Sequence, residues 1–156
     1  GQVIPEAGTS TATSCMKERS FLDTNVLVYT DDADAPAKQA TSLSLLRAGW
    51  ATGNGVLSTQ VLQEYFAAVT RKLGVDAAVA RRKIELFGRL EILSIGHDDI
   101  LRAIDLHRLH GFSIWDALIV TMALKAQCRV LYSEDMQDGR VIDGLRIANP
   151  FKPESR

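Results

Sequence analysis

Cysteine is nearly absent from this chain. The two present, Cys15 and Cys128, lie in a polar leader and ahead of an apolar strand, which excludes a disulfide-stapled scaffold and points to a reducing, cytoplasmic setting. No dense Cys/His set exists to hold zinc, and the three histidines carry no acid or cysteine motif beside them. No apolar run approaches the ~20 residues that span a bilayer, and the first residues lack the charged-then-apolar layout of a secretory signal, so no membrane role is expected. Neither sign of charge dominates: 18 Lys and Arg stand against 19 Asp and Glu, with a net charge of -1 and a pI near 6.3. That balance excludes a globally basic nucleic-acid binder, so a polyanion must be held by a local patch or through bridging metal ions.

A chain of 156 residues is long enough to bury a core as one domain, and it contains no internal repeat. Residues 1–15 are small and polar and precede Met16, so they read as a leader or an added extension. The working domain then covers 16–151, with 152–156 as a tail.

Apolar patterning alternates short strands with helices. Ser20 to Leu22 form a first strand with Asp23 at its exit and a helical turn over 25–29. A helix follows over 35–50, closed by the turn signal Gly53-Asn54-Gly55. Val56 and Leu57 form a strand, and Ser58 or Thr59 caps a helix to about Leu73 with the stripe Val61, Leu62, Tyr65, Phe66, Val69. A helix from Asp76 through Phe87, a strand over 90–95 and a helix over 98–110 closed by Gly111 come next. The helix over 115–124 is apolar on nearly all sides and is expected in the centre; strands over 130–132 and 145–147 complete the set. This alternation predicts a three-layer α/β/α domain with a mainly parallel sheet, whose ligands gather outside the carboxyl ends of the strands.

Four acids sit in separate segments beside residues that should be buried: Asp23, Glu64, Asp116 and Asp135. Buried carboxylates need a partner or a cation, and hard oxygen ligands suit Mg²⁺ or Mn²⁺. Each acid also has an ordinary explanation. Asp23 is placed to cap a helix, Glu64 to face solvent, Asp116 to close the capping box Ser113-Ile-Trp-Asp116, and Asp135 to serve a turn in which Glu134 and Asp138 compete with it. Taken together, four acids at one edge of one sheet predict a single divalent-metal site and a metal-assisted hydrolase.

At these residues the chain resembles the PIN-domain ribonucleases, and among them the VapC-like toxins of type II toxin-antitoxin pairs. The matching strings are Asp23-Thr-Asn25 after a strand, Glu64 in a helix, Ser113-Ile-Trp-Asp116-Ala117 at a helix start, and Ser133-Glu-Asp135 after a strand. The resemblance covers roughly residues 16–151. It implies that Asp23, Glu64, Asp116 and Asp135 are catalytic carboxylates holding one or two Mg²⁺ or Mn²⁺ ions, with Asn25 and Ser133 steadying them. It also implies an RNA substrate, a homodimer using the helices between residues 35 and 87, and a cognate antitoxin whose arginine enters the acidic site.

The alternatives are a housekeeping PIN nuclease, a catalytically silent PIN-like module binding RNA or protein, and a haloacid-dehalogenase-like phosphotransferase. The last wants a second aspartate where this chain has Asn25. His97, His107 and His110 are read as a polar helix face rather than a second metal site. Arg81-Arg82-Lys83, with Arg71, Lys72 and Arg89, is read as a solvated surface, and Cys128 as a small core residue.

Overall fold

The computed structural model describes residues 16–153. Ser20, Phe21 and Leu22 form strand β1 (Ser20–Leu22), with all three side chains buried. A strand covered on both faces shows no polar alternation, and that is why this short run carries so little periodic signal. β1 pairs in parallel with β2 (Gly55–Ser58) on one side and β4 (Val130–Tyr132) on the other. β2 pairs in parallel with β3 (Glu91–Leu93), and β4 with β6 (Leu145–Ala148). β5 (Val141–Ile142) adds an antiparallel edge, giving the order β3-β2-β1-β4-β6-β5.

Six helices connect the described strands: α1 (Thr24–Tyr29), α2 (Pro36–Thr52), α3 (Thr59–Lys72), α4 (Ala77–Phe87), α5 (His97–His110) and α6 (Ile114–Lys125). The chain steps outward from β1 to β2 to β3, then returns past β1 to β4. Right-handed crossovers therefore put α1 to α4 on one face and α5 with α6 on the other, which is the expected three-layer arrangement. The reversal falls between β1 and β4, the place where open α/β sheets leave a crevice at their carboxyl edge.

Every residue of α6 from Ala117 to Ala123 is buried. Burial of each large apolar side chain there contributes ~1.5–3 kcal/mol, and the helix is held at a fixed height behind the sheet. On the opposite face α2 packs close to the sheet: a Cβ on Gly55 would lie 2.9 Å from Cα of Gly49, so position 55 needs glycine, and a Cβ on Gly49 would be tight at 3.2 Å from Cα of Gly55. Buried Asp99 receives Lys125 Nζ on both carboxylate oxygens at 3.1 Å, tying α5 to α6. The Gly96 amide is the main cause that holds its carboxyl below the usual range, ahead of Lys125.

The structure departs from the sequence reading in several places. Ser58 occupies the N-cap of α3, but its hydroxyl makes no capping bond, and Thr59 Oγ1 instead accepts from Ile95 N. α1 begins at Thr24 and α5 at His97, and β3 is confined to 91–93 because its flanks leave the ladder. β5 was not expected. Its hairpin turns on Asp143 and Gly144, both at positive φ, an Asp-Gly pair suited to a two-residue turn, but two residues are too few to show strand periodicity. Arg81 and Arg82 are exposed as expected. Lys83 is not: it reaches across to Asp31 Oδ1 at 2.7 Å and Thr30 Oγ1 at 3.0 Å, locking α4 to the end of α1. Tyr65 donates to the same Asp31 carboxylate.

Candidate functional site

Asp23 leaves β1 and caps α1, since the chain turns from extended to helical geometry directly after it. Its Oδ1 accepts from Thr24 N at 2.7 Å and its Oδ2 from Ser133 Oγ at 2.7 Å. Only 5 % of Asp23 is exposed. Ser133, fully buried at the exit of β4, also accepts from Asp135 N at 3.2 Å, so the segment after β4 wraps around the Asp23 carboxylate. Asn25 fixes that segment from α1: its Nδ2 donates to Asp135 Oδ2 at 3.1 Å and its Oδ1 accepts from Glu134 N at 3.2 Å.

Glu64 enters from the second turn of α3. Its Oε1 accepts from Thr24 Oγ1 at 2.7 Å and its Oε2 from Gln60 Nε2 at 3.2 Å. Gln60 Nε2 also donates to the Trp115 carbonyl at 3.2 Å, joining α3 to the start of α6. There Asp116 stands in the first turn, with its backbone N–H bonded to Ser113 Oγ at 3.1 Å. Capping and placement at the site coexist, because the same bond that starts the helix orients the residue.

The charges are felt across the cluster. Burial is the main cause that raises the Asp23 carboxyl from its ordinary 3.8 to about 6; the bonds from Ser133 and Thr24 oppose it, and the charges of Asp135 and Asp116 add to it. Asp116 is raised as well, first by burial, then by Asp135 and Glu64. Among the described residues none of these four acids forms an ion pair with a lysine or arginine.

The neighbouring acids have other employment. Glu134 takes Lys38 Nζ and, at 2.7 Å, the Tyr29 hydroxyl. Burial raises its carboxyl, yet the bonds from Lys38 and Tyr29 outweigh that and hold it below the usual range. Asp138 accepts from Asn149 N at 2.8 Å and sits 3.7 Å from Lys152 Nζ. Asp135, not Asp138, therefore faces the other acids. His107 Nδ1 bonds the Phe112 carbonyl and His97 lies in solvent. Burial pushes the Cys128 thiol up to about 12, as befits an inert core residue; Cys15 lies outside the described residues, as does the proposed leader.

Among the described residues no three His, Cys, Asp or Glu side chains close into a ready ligand set. The four acids thus share one edge and one electrostatic neighbourhood without converging on a single point. Like charges repel, and three of the carboxylates turn to neutral donors: Asp23 to Ser133, Glu64 to Thr24 and Gln60, and Asp135 to Asn25. The donor set nevertheless fits a hard divalent cation. It offers only oxygens, has no Lys or Arg at ion-pairing distance among the described residues, and includes a carboxylate that burial makes costly to ionise alone. Beside it a cavity of about 450 Å³ is lined by Thr24, Asn25, Glu64 and Asp135 and continues past Tyr29 to Lys72. Thr24 and Gln60 were not singled out from the sequence; Gln60 stands one helical turn before Glu64, a spacing at which side chains meet.

Residues 20–140 match the family model of the PIN domain, and the chain belongs to the PIN-domain family. A comparison with curated proteins gives no match. Among solved structures the chain is similar to the Mycobacterium tuberculosis toxin VapC20, described as cleaving the sarcin-ricin loop, at 24 % identity and a TM-score of 0.60, covering 74 % of this chain and 89 % of that one. A toxin-antitoxin complex from Klebsiella pneumoniae matches at 18 % identity and a TM-score of 0.63, covering 84 % and 97 %. VapBC2 from Rickettsia felis, bound to a promoter DNA fragment, matches at 20 % and 0.57, covering 83 % and 97 %. At these identities the likeness establishes a shared fold.

Proposed function

We propose that this chain is a divalent-metal-dependent endoribonuclease and the toxin of a toxin-antitoxin pair. The observation that carries the reading is the set of four carboxylates from four segments at the β1/β4 reversal, none of them neutralised by a basic side chain among the described residues.

Asp23, Glu64 and Asp116 are assigned as the principal ligands of Mg²⁺ or Mn²⁺, with Asp135 completing the set. When bound, the cation supplies charge neutralisation at the scissile phosphate and lowers the pKa of a coordinated water. The chain's own part is positioning. Ser133 and Thr24 hold Asp23 in one orientation, Asn25 aims Asp135, and Thr24 with Gln60 orients both oxygens of Glu64. Such hydrogen-bonded support of ligands tunes both affinity and geometry.

The toxin assignment draws on the family and on neighbours that are themselves toxins or toxin-antitoxin complexes. A cognate antitoxin is expected to present an arginine to the carboxylates, which pairs with them bidentately and takes the place of metal charge. No helix among the described residues is long and apolar enough to cross a membrane. Pairing of two copies is part of the reading. Exposed Phe66 and Val79 lie within the helices expected to pair, while Ile100, Leu101, Ile104 and Leu109 expose a larger apolar set on α5.

The test is cleavage of RNA by the purified protein with Mg²⁺ or Mn²⁺ and with EDTA, alongside Asp116→Asn. Cleavage that requires metal and is lost in the variant, together with growth arrest on expression of the wild type, supports the assignment. Metal-independent cleavage, or full activity in the variant, overturns it; metal-dependent cleavage with harmless expression favours a housekeeping nuclease.

A further inference from the structure

Gln60 is 94 % buried in the first turn of α3, at 6 % exposure. A glutamine amide carries two donors and one acceptor group. Here the donor end is shared between the Glu64 carboxylate and the Trp115 carbonyl, each at 3.2 Å, while Oε1 is buried with no partner. Reversing the amide would set its oxygen against two acceptors, so the orientation is dictated by its surroundings. An orphaned buried acceptor costs free energy that an apolar side chain of the same shape would avoid. Stability alone therefore does not account for glutamine at this position.

The two atoms that Gln60 bridges are informative. One belongs to a candidate ligand on α3. The other is the carbonyl of the residue directly before a candidate ligand on α6. Those helices lie on opposite faces of the sheet, and among the described residues no other side-chain hydrogen bond joins α3 to the start of α6. Resting on the metal-site reading above, we infer that Gln60 is a positioning residue which sets the separation and orientation of Glu64 relative to Asp116, and thereby the affinity of the site for a divalent cation. It touches neither metal nor substrate in this role. Partners of this kind, once removed, typically weaken metal binding about 10–100-fold.

The test measures Mn²⁺ binding to the full chain by calorimetry and by electron paramagnetic resonance, with RNA cleavage read as a function of Mn²⁺ concentration. Gln60→Met keeps the shape and removes the amide. Gln60→Asn keeps the amide but is one methylene too short to span both acceptors, and serves if the Met variant melts far below wild type in EDTA. The expected result for either is a 10–100-fold weaker Mn²⁺ affinity and a matching rise in the Mn²⁺ needed for half-maximal cleavage, with kcat at saturating Mn²⁺ changed only a few-fold. Combined with Glu64→Gln, the Gln60 change should add little further loss, because it acts through Glu64. Wild-type Mn²⁺ affinity in both variants, or full additivity with Glu64→Gln, overturns the proposal while leaving the metal-site reading standing. Absence of saturable Mn²⁺ binding in the wild type overturns both.

Discussion

Replacing Asp23 by asparagine should stabilise the metal-free protein. The Asp23 carboxyl is raised from 3.8 to about 6, and a shift of roughly 2 units corresponds to ~3 kcal/mol of differential stability. That is an upper bound on the cost of ionised Asp23 in the fold at neutral pH. Asparagine removes the charge: its Oδ1 accepts from Thr24 N, and its Nδ2 donates to Ser133 Oγ, which reverses the wild-type bond and takes the acceptor from the serine proton, so the gain falls below that bound. For a domain of this size each kcal/mol moves the midpoint by ~2–4 °C, so the variant should melt up to ~10 °C higher in EDTA at pH 7.5. The sign of the pH dependence is fixed by the direction of the shift. A raised folded pKa means the native state holds the proton more tightly, so wild-type stability rises as pH falls from about 6 to about 4, and the advantage of the variant should shrink over that window. Thermal melts in EDTA at pH 7.5, 6 and 4.5 measure this. A variant that melts below wild type at pH 7.5, or an advantage that grows on acidification, refutes the reasoning.

Ser133→Ala strips a donor from Asp23 and an acceptor from the Asp135 amide, so urea unfolding should show a loss of ~1–3 kcal/mol with an unchanged m-value. An antitoxin bound at the acidic cluster should lose inhibition when its site-facing arginine is changed to alanine, measured as recovered RNA cleavage at fixed antitoxin concentration. Light scattering at micromolar concentration should report a dimer; a monomer alone counts against the proposed pairing.

Much of this arrangement was legible in the sequence, for identifiable reasons. The long helices announced themselves by apolar spacing, and α6 by its lack of a polar face. Asp23 and Asp135 were placed at one edge because each follows an apolar run that had to be a strand. β5 escaped because two residues cannot display a period, and Lys83 because a run of like charges conceals which member turns inward. Gln60 escaped for a different reason: its partner carbonyl lies on a helix 55 residues away, and nothing local in the sequence reports such a bond. The distinction between Asp135 and its rivals likewise required seeing that Lys38 and Lys152 had already been claimed by Glu134 and Asp138.

The position of β1 bears on how this protein comes into being. Ser133 reaches Asp23 across 110 residues of chain, and β1 lacks one of its two flanking strands until β4 has been made. At synthesis rates of ~5–20 residues per second, that interval is roughly 5–20 s. During it the nascent polypeptide carries Asp23 without the serine that orients it and without Asp135; Asp116 is added only towards the end of that interval. The acidic cluster therefore cannot assemble until the chain has been made as far as Asp135, and the order in which its parts appear is fixed by the order of the strands: β1 first, β4 last of the site's supports.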